Sequence, residues 1–241
     1  MASESGHWYA KDGTPTYRII GANGKERNTT LRDARKLDLV PSVTTILNCA
    51  AKPGLNAWLQ QQVLLAALTL PRGAEEPEEA WIERIMADSK SITQEAADRG
   101  TAMHGQIEAY FEKQPGDYPD YVKETYISVV REFGVLNWVS EKSFASTLGF
   151  GGKVDLHGNN VVIDFKTKEK VDDKTAAYDE HIMQLAAYRV GLGMPFAVCA
   201  NVFVDKQANV KIITHEEADL KKGWEMFQSL LRFYQIKNDL Q

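Results

Sequence analysis

Two aspartates and a lysine, Asp155, Asp164 and Lys166, have the types and spacing of a small cation-assisted site. The acids flank Leu156-His157-Gly158-Asn159-Asn160-Val161-Val162-Ile163, which reads as two short strands joined by a tight turn, because Asn and Gly tolerate the positive φ that such turns need. With Asn159 and Asn160 at the turn centre, Val161 falls opposite Gly158, Val162 opposite His157, Ile163 opposite Leu156 and Asp164 opposite Asp155. The two carboxylates then face each other with Cβ atoms about 5 Å apart. Lys166 emerges on the face of Asp164, since side chains alternate along a strand. Facing carboxylates repel, and a divalent cation relieves the repulsion. Oxygen-rich sites suit Mg²⁺ or Mn²⁺, which keep several waters that a phosphate can replace. A solvated surface hairpin is the plainer reading of an arbitrary Asp pair. Here the continuous apolar run Val161-Val162-Ile163 speaks for a buried strand, where acids and a lysine are costly unless they do chemistry.

The elements that must position these residues can be read in chain order. Residues 7–28 read as short strands with turns at Asp12-Gly13 and Asn23-Gly24. Thr30 opens a short helix, Leu31 to Lys36. The segment Lys25 to Lys36 carries Lys25, Arg27, Arg32, Arg35 and Lys36 against Glu26 and Asp33, which suits either a phosphate-facing patch or a solvated helix. Ser42 is an N-cap candidate over Val43-Thr44-Thr45-Ile46-Leu47, and its hydroxyl serves equally as a cap or, with Thr44 and Thr45, as a phosphate ligand. A long helix follows from Leu55 to about Leu70, then an acidic loop and a short helix around Trp81, Ile82 and Ile85. Ser91-Ile92-Thr93-Gln94 has the form of a capping box and predicts a helix from there to about Lys113. His104 and Glu108 share one face of it, next to the stripe Met103, Ile107, Tyr110 and Phe111. A histidine in that setting is a hydrogen-bonded core residue or a ligand. A helix from Tyr118 to Phe133 stops at Gly134, and a strand over Val139–Phe144 precedes the acidic hairpin. Next come a helix from about Lys174 to Leu192 with Gln184 and Tyr188 on one face, strands over Ala197–Val204 and Val210–Thr214, and a closing helix opened by a second box, Thr214 to Glu217.

Composition narrows the classes. At 241 residues the chain can enclose a sizeable core as one domain. We expect an N-terminal hairpin and helical region over 1–90 and a core over 91–241. A formal charge of −5 gives no whole-chain positive field, so nucleic acid would need a local patch. Cys49 and Cys199 stand far apart without a Cys-x-x-Cys, which argues against zinc fingers and iron–sulfur ligation. No apolar run reaches the roughly 20 residues of a membrane span, and the first residues resemble neither a signal nor a transit peptide. A cytoplasmic location without membrane association is the expectation. No Walker-type phosphate loop is present, since Lys153 is followed by Val154 rather than Ser or Thr.

Taken together, Arg99-Gly100-Thr101-x-x-His104-x-x-x-Glu108, Gly152-Lys153-Val154-Asp155, Ile163-Asp164-Phe165-Lys166-Thr167 and Gln184-x-x-x-Tyr188 resemble the motifs of the PD-(D/E)xK nuclease superfamily, specifically its RecB-like exonucleases, the group that includes the mitochondrial genome maintenance exonuclease and CRISPR-associated adaptation nucleases. Pro41-Ser42-Val43-Thr44-Thr45 is similar to the N-terminal region of the mitochondrial-type members. The resemblance covers residues 99–188, and its layout extends to the C-terminus. It implies an α/β (α+β) fold of restriction-endonuclease type, with a mixed central sheet flanked by helices and a helical N-terminal region. It also implies roles. His104, Asp155, Asp164 and the Phe165 carbonyl would hold one or two Mg²⁺ or Mn²⁺ ions, and Lys166 would position or deprotonate the attacking water. Gln184 and Tyr188 would orient the active site and the nucleic-acid backbone, Arg99, Ser42, Thr44 and Thr45 would contact DNA, and Glu108 would support His104. Val154 replaces the proline of the superfamily name, and no cysteines match those that bind an iron–sulfur cluster in some relatives, so none is expected. The activity implied is metal-dependent hydrolysis of single-stranded DNA from a free end, in DNA repair or recombination and alongside replication or recombination proteins. A duplex endonuclease and a nucleic-acid-binding protein without catalysis are the alternatives.

Overall fold

The computed structural model describes residues 6–134 and 137–240. Three short strands come first, β1 (Trp8–Tyr9), β2 (Arg18–Ile20) and β3 (Glu26–Asn28). Helix α1 (Leu31–Leu37) starts at Thr30 because two groups satisfy each other there: the Thr30 hydroxyl accepts the Asp33 amide and the Asp33 carboxylate accepts the Thr30 amide. Arg27 donates to both oxygens of Asp33, at 2.6 and 2.9 Å. Arg18 is paired with Glu26, and the Arg35 guanidinium donates to the Asn238 carbonyl. Much of the Lys25–Lys36 charge is therefore spent inside the fold. The Arg27 and Thr30 donors hold the Asp33 carboxyl far below its ordinary value. A depressed carboxyl contributes stability above its unfolded pKa, about 3.9, and loses it as pH falls further. Asp33→Ala should accordingly cost about 1 kcal/mol at pH 7, with the difference narrowing below about pH 4, as followed by urea unfolding at a series of pH values.

Strand β4 (Val40–Pro41) leads into α2 (Val43–Leu47), where the Ser42 hydroxyl accepts the Thr45 amide at 3.0 Å. Helix α3 (Pro53–Thr69) carries proline in its first turn, where the missing N–H costs nothing. Helix α4 runs unbroken over Glu78–Phe111. The Ser91–Gln94 box thus starts no helix, because the turn before it already satisfies those amides and leaves nothing to cap. Helix α5 (Asp120–Phe133) ends at Gly134 with φ 81°.

The sheet is built from β5 (Val139–Ser146), β6 (Phe150–Gly158), β7 (Val161–Thr167), β8 (Val198–Val204) and β9 (Val210–Thr214), with α6 (Asp179–Gly191) between β7 and β8 and α7 (Glu217–Lys237) at the end. Its order is β5-β6-β7-β8-β9, antiparallel except for the parallel β7–β8 pair. A parallel pair needs a crossover, and α6 supplies it. The fold is thus mixed α/β, a five-stranded mixed sheet with helices on both faces. Lys166 meets Gln184 of α6 on one face of β7, and its neighbour Phe165 meets Phe111 of α4 on the other. Phe150, Val162, Leu185, Ala186 and Phe227 join β6, β7, α6 and α7 into one fully buried core, each large side chain contributing about 1.5–3 kcal/mol. The helix α7 N-cap is Glu216 rather than Thr214, because β9 still holds Thr214 and its ladder continues through the His215 amide to the Cys199 carbonyl.

Where α6 passes over β5, a Cβ on Gly191 would stand 1.9 Å from a Phe144 ring carbon. Gly191→Ala should therefore force the ring aside and cost about 1–3 kcal/mol, read as a lower urea midpoint at unchanged slope. Asp205, fully buried just after β8, accepts the amides of Val171, Gln207 and Asn209 and the Asn209 side chain. Burial raises its carboxyl, but these donors outweigh burial and hold it below its ordinary value. It ties the β8–β9 turn to the loop that leaves β7.

The chain divides into two compact units, Met1–Ala50 with His104–Gln241, and Ala51–Met103. Within the second unit the Trp81 indole donates to the Leu70 carbonyl at 2.7 Å, and Arg84 closes the loop by binding Glu76 and the Pro71 carbonyl. Among the described residues no helix is long and apolar enough to cross a membrane.

Candidate active site

The hairpin register is the one the turn residues dictate, for three pairs: Gly158 with Val161, His157 with Val162 and Leu156 with Ile163. There the ladder stops. Asp155 and Asp164 are not the next ladder pair. Instead the Asp155 Oδ2 accepts the Phe165 amide at 2.8 Å, so a side chain replaces the strand carbonyl and the two strands part. Strand β5 is disturbed at the same level. Ser140 pairs with Leu156 and Lys142 with Val154, while Glu141 is skipped and takes φ 52°, a left-handed conformation unusual for glutamate. Glu141 makes an ion pair with Lys153. Ser42 bridges Gly151 in parallel, which brings the start of α2 beside the part of β6 that β7 has left.

The Asp164 side chain is 1% exposed, and both its oxygens are occupied. Lys166 Nζ lies 2.9 Å from Oδ1 and 2.7 Å from Oδ2, and the Asn201 amide donates to Oδ2 at 2.8 Å. Lys166 also donates to Gln184 Oε1 at 3.1 Å, and Gln184 Nε2 donates to the Tyr188 hydroxyl at 2.9 Å. Gln184 and Tyr188 are buried, and their hydrogen bonds run inward from Lys166. Burial, and then the charges of Asp164 and Asp155, hold the Tyr188 phenol well above its ordinary pKa. Its proton stays on at any working pH.

On the Asp155 side, His104 Nδ1 lies 3.6 Å from Asp155 Oδ2, and the ring stands edge-on to Phe165. Burial and then the neighbouring Asp164 charge raise the Asp155 carboxyl, while His104 and Lys166 oppose that rise. The acids are therefore close enough to repel. Glu108, one turn beyond His104, is raised by burial and then by Glu112, and it feels Lys153, Asp155 and His104. His104 turns to Asp155, while Asp164 turns to Lys166 and Asn201. Among the described residues no three His, Cys, Asp or Glu side chains are grouped around a common cation position.

Elsewhere, the Ser42 hydroxyl is spent on the α2 cap and on Thr44 and Thr45 at 3.0 and 2.8 Å. Arg99 belongs to the second unit. Three residues escaped the sequence reading. Asn201 and His215 are joined by a 2.7 Å contact, and Asn201 had a signal, as the lone amide in the apolar strand Val198–Val204. His181 is a structural histidine whose Nδ1 accepts the Tyr178 amide. Burial and then the Lys166 charge lower it to about 4, so it adds no charge beside Lys166 near neutrality.

No protein-family model matches the chain, and no curated protein matches it. Among solved structures, the chain is similar to SSO0001 at 20% identity and a TM-score of 0.28, over 44% of this chain and 55% of that one. It is similar to a candidate exonuclease from Eubacterium rectale at 15% identity and a TM-score of 0.40, over 58% of this chain and 68% of that one. The third similarity is to an alkaline exonuclease from Laribacter hongkongensis, at 12% identity and a TM-score of 0.32, over 76% of this chain and 97% of that one.

Proposed function

We propose that the chain is a metal-dependent deoxyribonuclease that hydrolyses phosphodiester bonds from a free end of single-stranded DNA. The observation behind this reading is the meeting of Asp155, Asp164 and Lys166 where β6 and β7 separate, two repelling acids with an ammonium group beside them. The donors are mostly hard oxygens, the Asp155 and Asp164 carboxylates and the Phe165 main-chain carbonyl, with the His104 imidazole as one borderline nitrogen and no thiolate. Such a set suits Mg²⁺ or Mn²⁺, completed by water and phosphate oxygens. A cation between the acids would also remove the repulsion that raises Asp155. When bound, the ion would acidify water beside it and offset the charge that builds on the phosphate and the leaving oxygen.

The remaining steps fall to side chains. Lys166, steadied by Gln184, donates to the attacking water or to a phosphate oxygen; the ammonium turns the Gln184 oxygen toward itself, and the Tyr188 hydroxyl accepts the N–H at the other end of the amide. Water oxygen bonds to phosphorus as the bond to the leaving sugar oxygen breaks. One proton leaves the water, and the leaving oxygen takes one up. Thr44 and Thr45 beside the α2 start, and Arg99, are the proposed contacts to the DNA backbone.

The preference for single strands with an end rests on the family resemblance. End-labelled linear single strands, circular single strands and duplexes, each incubated with Mg²⁺ or Mn²⁺ and with a chelator, test the whole reading. Metal-dependent shortening of linear strands alone is expected. Cleavage of circles would replace the exonuclease by an endonuclease, and binding without turnover under any metal would leave a nucleic-acid-binding protein.

A further inference from the structure

Strand β8 is buried along its length except at Val198, and its one polar side chain, Asn201, is fully buried. An unpartnered amide there would cost several kcal/mol, so its partners explain its presence. Register sets Asn201 directly beside Asp164 on β7 and Ile213 on β9. Its Nδ2 donates to Asp164 Oδ2 at 2.8 Å, and its Oδ1 lies 2.7 Å from His215 Nε2. An amide oxygen only accepts, so His215 must carry its proton on Nε2. The Asp164 end fixes the amide's orientation: flipped, Asn201 would press its oxygen against a carboxylate, and the His215 tautomer follows from that.

We propose that Asn201 and His215 are positioning residues for Asp164: His215 holds the Asn201 amide with its donor end toward the carboxylate, and Asn201 holds Asp164 in the rotamer that faces Lys166 and the cation. The functional half of this inference rests on the nuclease reading; the orientation of the amide does not. Residues that orient a ligand in this way typically change metal affinity or rate by about 10–100-fold. They act through Asp164 and touch no substrate.

The test compares wild type with Asn201→Ala, His215→Ala and His215→Gln, the last keeping an N–H donor toward Asn201. Three readouts separate the possibilities. Nitrogen-15 spectra of the His215 ring should give the Nε2–H tautomer in wild type. Calorimetric titration with Mn²⁺ alone, without DNA, should give affinity weaker by about 10–100-fold in both alanine variants and recovery toward wild type in His215→Gln. Single-turnover cleavage should fall by a similar factor with KM for the oligonucleotide unchanged. A ring with its proton on Nδ1 and none on Nε2, or alanine variants that bind Mn²⁺ as wild type does, would overturn the proposal. A wild type that binds Mn²⁺ yet cuts no DNA would remove the nuclease reading and leave the positioning of Asp164 standing. If it binds no Mn²⁺ either, the metal-facing role falls, and the ring spectrum alone decides whether His215 orients Asn201.

Discussion

Replacing Lys166 with alanine should slow single-turnover cleavage of an end-labelled single strand by about 10²–10³-fold, the usual loss when one preorganised donor to a charged transition state is removed. Asp164→Ala should cost at least as much. Among the described residues Lys166 hydrogen-bonds with Asp164 and Gln184 and keeps a quarter of its side chain exposed. Its loss therefore opens little space in the core but leaves the buried Asp164 carboxylate without its ammonium partner, and its rate too is read beside a melting curve. Asp164 is buried between two donors, and its alanine variant leaves an ammonium and an amide unpaired. For that variant the rate must be read beside circular dichroism and a melting curve. A Lys166→Ala protein that melts normally and still cuts at the wild-type rate would move the chemistry away from the β6–β7 fork.

The largest expected effect on stability is at Asp205. Asp205→Ala removes an acceptor for three main-chain amides and the Asn209 side chain, and the Val171 amide among them is buried. Losing a buried charged acceptor of this kind costs about 3 kcal/mol, which for a chain of this size lowers the melting temperature by about 6–12 °C. Lys206→Ala, one residue away and exposed, should stay within about 0.5 kcal/mol. Equal melting temperatures for the two variants would refute the assignment. Because Val171 lies on the segment between Lys166 and α6, Asp205→Ala should also slow cleavage under conditions where the protein is still folded.

Side-chain alternation and turn chemistry made much of the sheet legible. Asn159 and Asn160 fixed the hairpin register, and Gly134, Ser42 and Thr30 marked helix ends where they occur. Counting one pair further failed, because alternation assumes the ladder continues, whereas the Asp155 carboxylate takes the Phe165 amide and ends it. The two misplaced capping boxes share a cause. A cap has meaning only where amides lack partners, and at Ser91 the running helix, and at Thr214 the β9 ladder, already supply them. Asp164, Lys166, Gln184 and Tyr188 stood out by type and spacing. Asn201 could have been found as a polar residue in an apolar strand, but its partner His215 is reached only through strand order, which spacing along the chain does not reveal.

The parallel β7–β8 pair has a kinetic consequence. Asp164 and Asn201 lie 37 positions apart in sequence and touch only once the intervening chain has closed, and non-local pairings of this kind form late in folding. Hairpin-scale structure can therefore return quickly from denaturant while Asp164 and Asn201 are still apart. Regain of DNA cleavage should lag the recovery of circular dichroism, which makes enzymatic turnover a clock for the final crossover.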